Sequence, residues 1–421
     1  MTEHPLLAAL ARAGMKMGLA RMRSYLEWLG NPHLQYPVIH VAGTNGKGSV
    51  CRMVGAILEE QGFKVGITTS PHLQEVNERI RIGTVPISDA DLDSLLRRMD
   101  TVRRAWASAV VGPTEAFPLT YFEFSTAAAF QHFADQKVDV AVVEVGMGGR
   151  LDASNVCMPF ATAIVTVGLD HTEQLGPDHS SIAAEKAGIL KAGVPAVIGP
   201  LNYQALAVVR SVAAERQVPL QLYGENYQAL GSTDSFRYQG DGVVRDGLRL
   251  GLQGDHQVHN AAVALRLIDL LPSSLHCDEV AIRRGLERAE NSGRLEWVAS
   301  DLLLDGAHNP DGAQVLAHYL ARLPKDRPRV LLLGGGTDKD IRSVATILAP
   351  AVDRIVATAG THAKARSPEN VVAELAGLPV ELGGAVGDAL ARHRDGKNLV
   401  ILAGSLYLVG EARRLVVTGP A

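Results

Sequence analysis

Only three cysteines occur in the 421 residues, Cys51, Cys157 and Cys277. They are widely spaced, form no metal-binding pattern and cannot all pair, which argues against a disulfide scaffold and for a reducing cytoplasm. Charge of one sign is also lacking. Lys and Arg number 41 against 45 Asp and Glu, a net of -4, so nothing favours nucleic acid or an anionic membrane as a partner. No apolar run approaches the length of a membrane span. The apolar stretch 6–10 is too short and too poorly flanked for a signal peptide. Arg12, Lys16, Arg21 and Arg23 would suit a transit peptide, but Leu10, Met17, Met22 and Leu26 recur as one face of an amphipathic first helix, and that helix is the expectation. No short-period repeat or low-complexity segment is visible. What remains is an ordinary soluble composition, 47% hydrophobic and 20% charged, on a chain long enough for roughly two to three domains.

The most informative stretch is Val38-Ile39-His40-Val41-Ala42-Gly43-Thr44-Asn45-Gly46-Lys47-Gly48-Ser49-Val50. An apolar run stops at a glycine turn and an apolar helical pattern follows. Backbone N–H groups, a helix N-terminus and one ammonium then converge on a single spot, which suits a polyphosphate. The spacing is not that of a regular Walker A loop. Two residues, not four, separate Gly43 from Gly46, and Gly48 follows Lys47 where Ser or Thr would stand. Ser49 comes one place later, so part of any Mg²⁺ coordination has to come from elsewhere. Lys47 has no acidic neighbour in the sequence, which speaks against a plain structural turn.

Apolar strands alternate with helical patterns along most of the chain, the mark of parallel α/β sheets. Strands are expected at 38–42, 63–67, 138–145, 161–167 and 194–198, with helices at 50–61, 88–108, beyond 119–124 and around 182–190. Residues 220–253 read as irregular antiparallel strands. An alanine-rich helix begins at Asn260 and another covers 278–290. Asn291-Ser292-Gly293 breaks the pattern, and a second α/β series follows with strands at 302–305, 330–334, 354–359, 380–382 and 399–403. The expected architecture is a P-loop-type parallel sheet in an N-terminal domain, 1–290, plus a smaller Rossmann-like α/β domain, 294–421.

In open parallel sheets ligands bind beyond the carboxyl ends of the strands. The polar residues there are the phosphate turn, Ser70, Glu144, Asp170 and His171, and in the second domain the run Asp305-Gly306-Ala307-His308-Asn309-Pro310. Glu144 closes a buried apolar strand, where a carboxylate needs a partner or a metal. Ser, Glu and His offer two oxygens and an imidazole toward Mg²⁺, the imidazole being the least usual ligand. Lys186, beside Glu185 on a helix, reads as a solvated surface residue on sequence logic alone. Gly334-Gly335-Gly336-Thr337-Asp338-Lys339-Asp340 lacks the Gly-x-Gly-x-x-Gly order, so a dinucleotide site is not expected there.

Together these stretches resemble the folylpolyglutamate synthase/dihydrofolate synthase family within the ATP-dependent Mur ligases. The matching segments run from 42–49 through Thr69-Ser70-Pro71-His72-Leu73, 119–124, 144–155, 169–172, 185–189, 259–265, 305–310 and 337–340 to 404–407. The resemblance implies a cytoplasmic, monomeric ligase that uses Mg-ATP to turn a folate carboxylate into an acyl phosphate, which L-glutamate then attacks. By the same resemblance, residues 1–290 are the ATP-binding domain with pterin-binding loops and 294–421 the glutamate ligase domain. Thr44, Asn45, Gly46, Lys47, Gly48 and Ser49 would hold the ATP phosphates, with Asn260, Arg294 and Asp305 as further ATP contacts. Ser70 and Glu144 would bind one Mg²⁺, and His171, again with Glu144, a second. Lys186 matches a lysine carried as a carbamate, which reverses its surface reading. His308 matches a histidine close to the reaction centre, and Lys47, Lys186 and His308 form the catalytic set. Thr120, Tyr121, Phe122, Glu123, Leu151 and Asp152 match the pocket for the reduced folate or dihydropteroate. At Met15-Lys16-Met17 the chain departs from the dihydrofolate-forming pattern, placing a cation where an acidic contact to dihydropteroate belongs. Both reactions remain the expectation, with polyglutamation alone as one alternative. A cell-wall Mur ligase is another, disfavoured by Leu119-Thr120-Tyr121-Phe122-Glu123, by the Asp305–Pro310 run and by the lack of a UDP-binding domain ahead of the phosphate turn. A nucleotide switch without ligase activity would need neither Lys186 nor His308.

Overall fold

The computed structural model describes residues 4–11, 14, 16–109 and 119–418. The first domain is built on an eight-stranded sheet of β1 (Val38–Ala42), β2 (Val65–Thr68), β3 (Ile80–Ile82), β4 (Val85–Pro86), β5 (Val140–Glu144), β6 (Ala161–Ile164), β7 (Ala196–Ile198) and β8 (Leu220–Leu222). Their order is β4-β3-β2-β5-β1-β6-β7-β8. All pairs are parallel except those of β3 and β4, which form an antiparallel edge. β1 and β5 are buried along their whole length, as their unbroken apolar runs require of strands covered on both faces. Helices Lys47–Glu60, His256–Asp269 and Glu279–Arg288 cover one face. The other carries Pro5–Ala11, Ala20–Trp28, Asp89–Ala109 and Tyr121–Asp135. A three-stranded antiparallel sheet of β9 (Tyr227–Ser232), β10 (Ser235–Gly240) and β11 (Val243–Leu248) packs against helix His256–Asp269.

The second domain has a six-stranded sheet of β12 (Glu296–Ala299), β13 (Leu302–Leu304), β14 (Arg329–Leu333), β15 (Arg354–Ala359), β16 (Val380–Ala385) and β17 (Leu399–Ala403), in the order β12-β13-β17-β14-β15-β16. Only the β12 edge is antiparallel. Separate apolar cores fill its two faces, and the second of them takes in Leu73 from the first domain. The two-domain α/β architecture agrees with the sequence expectation.

Several local expectations change. The single first helix is two, Pro5–Ala11 and Ala20–Trp28, and Met17 between them is 40% exposed rather than turned inward. Arg12 and Met15 lie outside the described residues. The 220–253 region is more regular than expected, since β8 joins the main parallel sheet and only β9 to β11 are antiparallel. The alanine-rich helix starts at His256, so Asn260 sits in its second turn instead of at its start. Among the described residues no helix is long and apolar enough to cross a membrane.

Candidate active site

The carboxyl ends of β1, β2, β5 and β6 open into a cleft of ≈ 1580 Å³ that is lined by both domains. The phosphate turn forms its floor. Gly46 has φ of 82°, a left-handed conformation that suits glycine, and a Cβ there would come 2.5 Å from Asn260 Oδ1. Helix Lys47–Glu60 starts directly after it. Thr44 is tied to the end of β6 by its hydroxyl, which donates to Gly168 O at 3.1 Å and accepts from Gly168 N at 2.9 Å. The Asn45 N–H donates to Thr166 Oγ1 at 2.9 Å. Lys47 folds back over its own loop, donating to Gly43 O at 3.0 Å and Thr44 O at 3.2 Å. Its Nζ is also 3.9 Å from Glu144 Oε1, so the acidic neighbour missing from the sequence is supplied by the adjacent strand. The Ser49 hydroxyl is buried and accepts from Gln257 Nε2 at 3.2 Å and Asn291 Nδ2 at 3.1 Å, which ties the helix to the interdomain linker.

Glu144 ends β5 and accepts from the Ser70 backbone N–H at 3.2 Å. Burial pushes its carboxyl up, against the pull of Lys47, the Ser70 N–H and Arg294. A carboxylate left short of compensating charge suits a cation ligand. The Ser70 hydroxyl is buried without a hydrogen-bond partner among the described residues, a second oxygen at the end of the adjacent strand β2. These donors fit one hard divalent cation. His171 lies on the next strand end, partly exposed, in a left-handed conformation with φ of 51°. Burial, opposed by Asp170 and supported by Lys339, His308 and Lys47, lowers it to about 4, so the imidazole is neutral. Among the described residues no three His, Cys, Asp or Glu side chains gather as a ready metal cluster. A second cation at His171 would therefore need ligands from outside these side chains.

Lys186 corrects the surface reading. It sits on helix His179–Ala187, is only 3% exposed and lines the cleft. Burial, with the nearby Lys47 cation, lowers its amine to about 7.

The loop residues Thr120, Tyr121, Phe122, Glu123, Leu151 and Asp152 all line the same cleft. Thr120 and Glu123 form a capping box at the start of helix Tyr121–Asp135. Glu123 also receives Arg21 Nη2 at 2.9 Å. Asp152 accepts from Met147 N at 2.9 Å and from Ser154 N at 2.9 Å. Both carboxylates are thus engaged in holding the loops that shape this wall. Lys16 lines it too, beside Arg21, which donates to its carbonyl at 3.0 Å.

From the second domain His308 and the linker residue Arg294 reach the cleft. His308 Nδ1 lies 2.8 Å from Gly306 O and its Nε2 3.2 Å from Asp170 Oδ2. Two expected ATP contacts do not line it. Asp305 accepts from Leu295 N and Ala307 N, each at 2.8 Å, so one oxygen braces the linker and the other its own loop. Asn260 donates to Gln257 Oε1 at 2.9 Å from beneath the turn. One participant escaped the sequence reading. Asp170 and Asn309 stand out as strand-end polar residues, but Lys339, which meets Asp170, belongs to the glycine-rich turn that offers no dinucleotide pattern. Burial would raise the Asp170 carboxyl, but His308 and Lys339 outweigh it and hold it well below the usual range.

Residues 41–268 match the Mur ligase middle domain and residues 293–406 the Mur ligase glutamate ligase domain. A dihydrofolate synthase/folylpolyglutamate synthase of Bacillus subtilis is 38% identical over 318 residues, 73% of either chain. A probable bifunctional folylpolyglutamate synthase/dihydropteroate synthase of Haloferax volcanii is 36% identical over 96% of this chain, which spans 49% of that longer protein. Folylpolyglutamate synthase of Mycobacterium tuberculosis, complexed with ADP, superposes with a TM-score of 0.90 at 32% identity, covering 98% of both chains. A bifunctional folylpolyglutamate synthase/dihydrofolate synthase with Mn, AMPPNP and L-glutamate bound gives 0.87 at 31% identity, also over 98% of both. The chain belongs to the folylpolyglutamate synthase/dihydrofolate synthase family of ATP-dependent Mur ligases.

Proposed function

We propose that this protein joins L-glutamate to folates at the expense of ATP, extending tetrahydrofolate to polyglutamates and also converting dihydropteroate to dihydrofolate. The observation that carries the reading is the convergence of the phosphate turn, Glu144, Lys186 and His308 on one cleft between two domains. The substrate carboxylate attacks the γ-phosphorus of ATP and ADP leaves. The glutamate amine then attacks the acyl carbon, phosphate departs with the bonding pair, and the amine gives up a proton. An acyl phosphate concentrates negative charge and is lost to water in the open, so cations in a closable cleft serve both needs.

Lys47 leaves its own carbonyls to meet the phosphates, and Arg294 approaches them from the linker. Thr44 to Ser49 form the turn around the phosphates, Gly46 to Ser49 presenting N–H groups while those of Thr44 and Asn45 brace the turn on Thr166, with Asn260 and Asp305 supporting the nucleotide from behind the wall. A divalent cation, magnesium in the cell, would be held by Ser70 and Glu144, with His171 toward a second. When bound it neutralises phosphate charge and polarises the transferred group. The buried amine of Lys186, neutral in a large fraction of molecules near pH 7, supports carbamate formation. The amine attacks carbon dioxide and loses a proton, so a buried cation becomes an anion facing Lys47 and the metal. Thr120 to Glu123, Leu151 and Asp152 bound the pterin end. Monomeric, cytoplasmic action fits an enzyme of diffusible substrates.

Mass spectrometry of the products, with dihydropteroate and tetrahydrofolate as separate acceptors, tests the reading. Each acceptor should gain glutamate with matching ADP release. Glutamate on tetrahydrofolate alone would restrict the enzyme to polyglutamation, as the Lys16 cation at the cleft wall would favour. ADP release without either acceptor would refute the ligase.

A further inference from the structure

Asp170, just beyond β6, has no part in the reaction proposed above, yet it gathers more of the second domain than any other side chain of the cleft described here. Its Oδ2 accepts from Asn309 Nδ2 at 3.1 Å and lies 3.2 Å from His308 Nε2. Its Oδ1 accepts from the Lys339 ammonium at 2.6 Å and from the His171 N–H at 2.9 Å. Three of these four partners belong to the second domain and come from two loops, one after β13 and one after β14. Next to them the Asn45 and Asn309 amides exchange hydrogen bonds at 3.3 and 3.2 Å, joining the same loop to the phosphate turn.

Other contacts between the domains differ in kind. Asp255 meets Arg322 and His318 in an exposed position, and exposed pairs contribute little. Gln74 receives Arg413 at 3.0 Å beside the linker, where Leu73 packs near Gly293. Contacts next to a linker persist when domains swing about it. The Asp170 contacts join segments far from the linker in sequence and must break for the cleft to open. They also fix His308. With Nδ1 against Gly306 O and Nε2 against Asp170, both ring nitrogens are held and the imidazole cannot turn freely.

We propose that Asp170 is a positioning residue that fastens the second domain over the phosphate turn and sets the His308 ring for glutamate ligation. The inference rests on the ligase reading of the site. Charged hydrogen bonds in a partly dry cleft are the strong class, and a catalytic group displaced by about 1 Å loses on the order of 10²-fold in rate.

The test uses the full-length protein with spin labels on Y203C and L382C, exposed positions one on each domain. The three native cysteines are buried, so labelling is selective. In D170N the interdomain distance distribution should broaden without any ligand, kcat for glutamate addition should fall about 10²-fold, and the affinity for AMPPNP, held by the phosphate turn, should match the parent's. K339M removes one contact and leaves the carboxylate; it should broaden the distribution with a smaller loss of kcat, and it carries the test if D170N does not fold. An unchanged distribution in these variants overturns the inference, and so does a broadened one with full turnover. If the parent forms no glutamylated product, the ligase reading fails, while the ligand-free distances still support or overturn the fastening by Asp170.

Discussion

Lys186 offers the sharpest perturbation of the proposed chemistry. An ordinary lysine, at 10.5, is neutral at pH 7 in about one molecule in 3000; one lowered to about 7 is neutral in roughly half. Burial at 3% exposure and the Lys47 charge thus enlarge the amine population able to attack carbon dioxide by about 10³-fold. Carbamate formation then replaces repulsion from Lys47 by attraction. Lys186→Ala should lose most activity and recover part of it with formate or acetate, which can occupy the vacated anion position. In the parent, ¹³C-enriched bicarbonate should give a carbamate signal that the variant lacks. Stability should also depend on pH. An unmodified Lys186 takes up a proton less readily folded than unfolded, so stability falls as pH drops from about 10.5 toward about 7 and levels off below. A carbamate takes up no proton until it loses carbon dioxide, so with carbon dioxide present the fall should continue below about 7 instead of levelling off. Full activity in Lys186→Ala, or absence of the carbamate signal from the parent, would end the carbamate role of Lys186.

Lys47→Ala should abolish ATP-dependent product, by at least about 10²-fold, with circular dichroism unchanged, because the ammonium is held by its own turn and lies near Glu144; normal turnover would remove its phosphate role. Gly410→Ala would place a Cβ 1.8 Å from Leu73 O, on the helix that receives this first-domain loop. Denaturant unfolding should show a loss of about 1–3 kcal/mol, and a variant as stable as the parent would mean that the loop yields without cost.

The sequence determined what depends on neighbours along the chain. The apolar runs of β5, β14 and β17 announced parallel strands because both faces of such strands are covered. The glycine turn with Lys47 announced phosphate because spacing alone aims backbone N–H groups at one point. The ordered motifs carried the family and, through it, the reaction class. Short elements were less legible. β3, β4 and β12 are two to four residues long, too brief for a period to show. The apolar spacing of the first helical stretch conceals the break between Pro5–Ala11 and Ala20–Trp28.

Charge and proximity came from the packing of the chain. Lys186 beside Glu185 looks solvated in sequence; the fold buries it, and burial is what lowers the pKa of its amine. Lys47 and Glu144 are brought together by the parallel pairing of β1 with β5. Asp170 finds His308 and Lys339 across separations of 138 and 169 residues, which no local pattern encodes. Asp305 and Glu123 have the carboxylates that motif matching assigns to ligands, yet in space they receive backbone N–H groups of their own neighbourhoods. Local chemistry is written in spacing, but desolvation and the meeting of distant strand ends exist only once the two sheets have packed.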